Sequence, residues 1–292
     1  MWIKETGKIG PDLYVLGQLD NPIYLFGKGK EWTIVEGGLA HMKAKVLYQI
    51  QLIVSDMSYI RHWVITHSHY DHCGLLTELY SYFPKVRIYA SRQTAKAFQS
   101  PTANKIIYQF NKKVARFRNV ELAEDYPTIT LPNIPVTEVV EGDILALSGH
   151  QLEVLSTPGH SKCSLSFYEK ATGWLFVSDA LGEMITPQDW FPLIFDCAES
   201  FEGSLKKIAR LNCQYVMLGH KGLLTEETAR DAAMNSLRSY YKMYERYAHI
   251  PSTDIEQKAF QLSEEYAHHS ESFVPRDLHE KSMERFLKLI KI

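Results

Sequence analysis

Four side chains able to hold a metal ion stand within six residues of one another in the segment Thr66-His67-Ser68-His69-Tyr70-Asp71-His72. With His and Asp each making up a few per cent of residues, an H-x-H-x-D-H string arises by chance in roughly one chain in a thousand of this length. Chance is therefore the weaker explanation. His67 and His69 are two positions apart. If the extended geometry of the apolar run before them persists, both project to the same side and can share one ion. Asp71 and His72 follow where the chain must turn into a helix, placed to address a second ion nearby. Imidazole and carboxylate without thiolate suit zinc, iron or manganese and do not choose among them.

One cluster cannot complete two coordination spheres, so further ligands must come from loops that end other strands. Thr157-Pro158-Gly159-His160 follows the run QLEVLS, Ser178-Asp179 ends WLFV, and Gly219-His220 ends YVML. Each has the same grammar of apolar strand followed by ligand, the usual way to hold reactive groups over a rigid scaffold.

The elements that must carry these residues form two β-rich halves. Up to about residue 36, the runs DLYVLGQL, PIYLFGKG and WTIVEGG are separated by Gly, Asn and Pro, the punctuation of antiparallel strands. Helical spacing follows from Leu39 to Ile53, then the strand RHWVIT, a helical run from about His72 to Tyr82, the strand VRIYA and a helical stretch over 91 to 118. Strand signals return between about 134 and 180 (VTEVV, DILAL, QLEVLST, SLSFYEK, GWLFVSD), with a turn at Gly173, followed by a helix near 200 to 211 and YVMLG. Strands, helices, strands, helices in that order imply two sheets with helices outside. After Leu224 the pattern is almost continuously helical, over 225 to 249, 252 to 268 and 276 to 291, broken at Pro251 and Pro275. Leu237, Tyr240, Tyr241, Tyr244 and Tyr247 share one helical face, which reads first as core packing and second as a pocket wall.

A formal net charge of -2, with 45% hydrophobic and 23% charged residues, is a globular profile without an electrostatic footprint for nucleic acid or an anionic membrane. The first residues lack the apolar core of a secretory signal, and no run approaches the ~20 apolar residues of a membrane helix, so a cytoplasmic protein is expected. Cys73, Cys163, Cys197 and Cys213 are widely spaced and read as free thiols.

The series of strand-end H-x-H-x-D-H, TPGH, Asp and GH, in this order, resembles the metallo-β-lactamase superfamily. That resemblance implies a four-layer αβ/βα sandwich, an α/β (α+β) fold with the site at one edge, over residues 1–224. It implies an appended helical region over 225–292 that caps the cleft. It further implies two divalent metal ions, with His67, His69 and His160 on one, Asp71, His72 and His220 on the other, and Asp179 bridging. The strings ITHSHYDHCGLL, GHSKCSLSFYE, SDALGEM, FPLIFD and GHKGLL, with the helical tail, are similar to the quinolone-signal-response thioesterases of this superfamily. Hydrolysis of an acyl-CoA-type thioester, such as one like 2-aminobenzoylacetyl-CoA, is what this narrower resemblance implies. It places Glu183 toward the active site and makes His279 and Ser282 on the last helix candidates for touching substrate. Cys73 departs from the commoner pattern, which has Gly there; packing of a small residue is the simpler reading of the thiol.

In such a site a pair of cations lowers the pKa of a shared water toward neutrality, and Asp71 is expected to orient it and pass its proton to the leaving group. Phe195, with Trp190 and Phe191, walls the pocket or packs under the helical tail. His41, His62, His150, His249, His268 and His269 lack strand-end context and read as surface or packed histidines. A lactonase or hydroxyacylglutathione hydrolase is the alternative enzyme. A signalling protein that acts by binding a regulatory protein is the alternative of another class, and a homodimer is compatible with either.

Overall fold

The computed structural model describes residues 1–270 and 274–290, with 267–270 described by backbone alone. Two seven-stranded sheets face each other. The first runs in spatial order through Gly7–Lys8, Leu13–Gln18, Asn21–Lys28, Glu31–Val35, Ile60–Val64, Arg87–Ser91 and Val136–Val139. The second runs through Trp2–Ile3, Leu223–Thr225, Tyr215–Leu218, Trp174–Ser178, Leu165–Glu169, His150–Ser156 and Ile144–Leu147.

The two-residue side-chain period of a strand decides the layers. In Asn21–Lys28, Tyr24 and Phe26 enter the space between the sheets, while Ile23 and Leu25 turn outward. Likewise Trp174 and Phe176 point between the sheets and Leu175 and Val177 point out. Strands buried on both faces need apolar side chains in both phases, which is why these runs are nearly continuous in hydrophobicity. Outside the first sheet, Val46 and Ile50 of helix Lys43–Ile53, Phe98 of Arg92–Gln99 and Ile107 and Val114 of Pro101–Phe117 close a core. Outside the second, Phe201 and Leu205 of Ala198–Ile208 and Ala229, Ala233 and Tyr240 of Glu226–Tyr247 close another. The result is the expected αβ/βα sandwich, with the helices Ile255–Ser270 and Arg276–Ile290 contributing to this same outer core.

On the helix Glu226–Tyr247, Leu237, Tyr240 and Tyr247 are buried in that core, Tyr244 packs against it and Tyr241 is exposed, so the aromatic face is packing. The stretch 91 to 118 is two helices rather than one. Pro101 cannot continue a helix, and the Ser100 hydroxyl accepts from Ala103 N to cap a new one. The run from His72 to Tyr82 holds only the short helix Leu76–Leu79 and a 3-10 turn at Tyr80–Tyr82. Its beginning is diverted because the amides of Gly74 and Leu75 bond to the carbonyls of Gly38 and Gly37 instead of forming a helical ladder. A short hairpin, Glu183–Thr186 with Asp189–Phe191, has no counterpart in the sequence reading. Among the described residues, no helix is long and apolar enough to cross a membrane.

Candidate metal centre

Strands Trp174–Ser178 and Tyr215–Leu218 are parallel. His150–Ser156 is antiparallel to Leu165–Glu169, which is antiparallel to Trp174–Ser178. These three ligand-bearing strands therefore end at the same edge of the second sheet. The loop after Ile60–Val64 meets them from the first sheet, where Leu165 N donates to Thr66 O at 2.9 Å. That strand stops at Val64, earlier than an extended run to His69 requires. His67 and His69 nonetheless turn the same way, with ring centroids 4.7 Å apart.

Two glycines let the backbone come this close. A Cβ on Gly219 would lie 2.2 Å from Asp179 Oδ1, and Gly159, at φ +127°, passes so close to Phe201 that a Cβ would lie 2.3 Å from its amide nitrogen. The Gly before each distal histidine thus belongs to the geometry of the site.

All seven expected residues are brought together. His160 Nε2 lies 2.8 Å from His69 Nδ1 and 3.2 Å from His67 Nε2. Asp179 Oδ2 is 3.2 Å from both His160 Nε2 and His72 Nε2, and Oδ1 is 3.6 Å from His220 Nε2. Asp71 Oδ2 is 3.7 Å from both His72 Nε2 and His220 Nε2. The ligand atoms form three overlapping groups: His67, His69 and His160; His67, His72 and Asp179; and Asp71, His72 and His220.

The far side of each ring fixes its orientation. His160 Nδ1 donates to Leu193 O at 2.9 Å and His220 Nδ1 to Asp20 O at 2.6 Å, so the proton of each neutral ring sits on Nδ1 and a lone pair on Nε2 faces the cluster. His72 Nδ1 meets Glu36 Oε2 at 2.9 Å. His72 Nε2 is buried without a hydrogen-bond partner among the described residues. Converging lone pairs beside carboxylates need a positive charge between them, so the donor set fits divalent cations.

Sequence reasoning missed Glu36, Asn21 and Asn111. Glu36 is buried, stands at φ 79°, and also accepts from Thr66 Oγ1 at 3.1 Å. Its signal was present, because Glu36 follows the apolar strand Glu31–Val35 just as the ligands follow theirs. Asn21 Nδ2 donates to Asp71 O at 2.9 Å and Asn111 Nδ2 to Tyr70 O at 2.8 Å, pinning the turn that carries the ligands. Single asparagines in a strand and a helix carry no such signal.

Burial dominates the charge states of the imidazole trio. It holds His67 well below the ordinary histidine range, His69 down to about 4 and His160 down to about 3, with neighbouring histidines adding to the effect. Burial also opposes charge on His72 and His220, but there Asp179 and the other carboxylates outweigh it, and His220 is raised to about 9. Asp179 is held well below the usual carboxylate range because His72, His220 and His160 together exceed its desolvation.

A cavity of about 320 Å³ opens onto the cluster, lined in part by Glu183, Phe195, His279 and Ser282, the four residues expected to face substrate. Glu183 pairs with Lys221 Nζ at 2.8 Å and His279 Nδ1 with Ser263 Oγ at 3.0 Å. The Phe195 ring stands 5.1 Å from that of His160. Trp190 and Phe191 differ from Phe195. Both are buried, and Phe191 packs on Tyr266 and Phe286 under the helical tail. Cys73 is buried and its thiol faces His69 O at 3.2 Å, a packed small residue.

The other histidines lie elsewhere. His62 bonds to Glu31 and Tyr89, and His150 stacks on Trp174 between Asp12 and Glu169. His41 is partly buried, with burial depressing its pKa to about 4, and His249 is exposed. The side chains of His268 and His269 lie outside the described residues.

Comparison with known proteins agrees with this geometry. The chain is 26% identical over 176 residues to the acyl-coenzyme A thioesterase MBLAC2 of Gallus gallus, covering 59% of this chain and 60% of that protein. It therefore spans about six tenths of the length of that relative. It is 22% identical over 246 residues to the beta-lactamase-like protein 2 homolog of Caenorhabditis elegans (81% and 70% covered), and 21% identical over 159 residues to a hydroxyacylglutathione hydrolase of Legionella pneumophila (54% and 44%). A metallo-beta-lactamase family protein from Thermus thermophilus shares the fold at a TM-score of 0.66 and 20% identity, over 97% of this chain and 94% of that one. The model of the metallo-beta-lactamase superfamily matches residues 16–220, from the second β-hairpin to the last histidine of the cluster. The chain belongs to the metallo-β-lactamase superfamily.

Proposed function

We propose that the protein is a metal-dependent hydrolase of acyl thioesters, of the acyl-CoA type, working with two divalent cations. The observation that carries this reading is the position of Asp179, whose carboxylate reaches toward His160 on one side and toward His72 and His220 on the other. His67, His69 and His160 would hold one cation, Asp71, His72 and His220 the other, and Asp179 would join them. When bound, such cations supply a water ionised near neutral pH and polarise a carbonyl oxygen.

The residues of the chain do the rest. Asp71, at the border of the cavity, takes the proton of the attacking water and delivers it to the departing sulfur. A carbon–oxygen bond forms, the carbon–sulfur bond breaks, and an acid and a thiol leave. Glu36, Leu193 O and Asp20 O keep the imidazoles aimed throughout. Of the helical region, the helix Arg276–Ile290 acts as the cap, since its His279, Ser282 and Met283 reach the cavity. The thioesterase name of the chicken relative supports the thioester reading, and the Legionella relative keeps a hydroxyacylglutathione as a second thioester carrier to test.

The test is turnover of an acyl-CoA and acyl-glutathione panel by the metal-loaded protein and by Asp71→Asn. The variant should keep its metal while losing about 10²- to 10⁴-fold in kcat. Equal turnover by the two proteins would remove Asp71 from the mechanism.

A further inference from the structure

A second cavity, of about 390 Å³, adjoins the first. The two share His69, Tyr70, Phe195, Val274 and Ser282, so a molecule lying along the second can have one end beside His69. One wall is a carbon surface from the helix Pro101–Phe117, made by Ala103, Ile106, Ile107 and Phe110. Leu278, Lys281 and Arg285 of the helix Arg276–Ile290 form the other. We infer that this groove holds the acyl chain of the thioester, so that the site selects an extended apolar acyl group over a short one. The inference rests on the thioesterase reading for the identity of the head group at the cluster.

The chemistry of the two chambers differs in a way that assigns the halves of the substrate. No acidic side chain lines the groove among the described residues, and its two cations lie one helical turn apart. Arg285 Nε is engaged with Phe195 O at 3.1 Å. Long basic side chains in such a position lay their methylenes along apolar surface and keep their heads in water. A carrier arm with amide groups would gain little from the carbon wall of Ile106, Ile107 and Phe110, whereas a hydrocarbon chain removes apolar surface from water against it. The first cavity, by contrast, brings Lys4, Asp20 and the Glu183–Lys221 ion pair to its walls, a more polar lining suited to a thiol carrier.

The experiment uses non-cleavable thioethers, ethyl-CoA and decyl-CoA, with affinity measured by calorimetry on the metal-loaded protein. Full burial would tighten binding roughly fourfold per methylene. Because Ile106 is 47% exposed, roughly twofold per methylene is expected. Ala103→Trp fills the groove, and Ile106→Asp places a charge on it at a half-exposed position where folding is safe. Each should narrow the decyl-to-ethyl affinity ratio by about tenfold. A wild-type ratio near one would overturn the inference. So would a ratio unchanged in both variants, or an equal loss of ethyl-CoA and decyl-CoA affinity, which would put the carrier in the groove. The thioethers report binding without cleavage, so a steep ratio in a protein that hydrolyses no thioester would leave the groove assignment standing and remove the thioesterase reading alone.

Discussion

The two halves of the candidate metal centre are built from similar residues but hold their charge in opposite ways. His67, His69 and His160 sit among other imidazoles, and burial keeps them neutral, with His69 down to about 4 and His160 down to about 3. His72 and His220 are as deeply placed, yet Asp71, Asp179 and Glu36 surround them, and His220 is raised to about 9. The first half presents lone pairs that need no proton removed. In the second, three carboxylates favour protonated imidazoles, and a cation entering it must displace protons. Neighbouring charge, more than the ligand atoms themselves, separates the two.

The comparison breaks most severely at Asp179, where the halves meet. Asp179→Ala should cost metal at both positions, whereas His69→Ala should empty mainly the first and His220→Ala mainly the second. Elemental analysis after dialysis distinguishes these patterns, and full occupancy in Asp179→Ala would dissolve the shared-carboxylate picture. A smaller effect is expected at Glu36. Replacing it with Gln keeps the shape but removes the negative charge beside His72, so affinity for the second cation should fall about 10- to 100-fold while the first changes little. Competition with a chromophoric chelator reads both constants, and equal losses would mean that Glu36 serves the whole cluster.

The smallest effect is on the stability of the metal-free protein. Histidines with depressed values, His69 and His160 and also His41 at about 4, bind more protons when unfolded than when folded between pH 6.5 and about 4. Their contribution is lost as pH falls through that window. His220, raised to about 9, contributes stability that is present below 6.5 and lost as pH rises through 9. Tm of the metal-free protein should therefore decline on both sides of neutrality. His41→Leu should blunt only the acid limb, and an unaltered acid limb would take His41 out of that account.

Much of this was legible in the sequence because ligands advertise themselves. A histidine or aspartate directly after an apolar strand is conspicuous, and His67, His160, Asp179 and His220 all obey that rule. The layers were legible for a related reason, since strands such as WLFVS are apolar in both phases when helices cover one side and a sheet the other. Glu36 obeys the same rule as the ligands but reads as a turn residue before two glycines. Asn21 and Asn111 act through one amide each, a contribution that exists only after folding brings Asp71 and Tyr70 alongside. The short helix at Leu76–Leu79 was overestimated for the same reason, because the amides before it are claimed by Gly37 and Gly38.

The pairing of Trp2 with Leu224, and the bond from Trp2 Nε1 to Lys221 O, join segments on either side of the superfamily match beside His220. A ribosome releases the segment around Trp2 early, and it must wait for more than two hundred further residues before its partner strand exists. That seam is therefore among the last to close, and long-range pairing of this kind slows folding. The same ordering means that His67, His69 and His160 all exist before His220 has been made, so the two halves of the candidate centre become available one after the other.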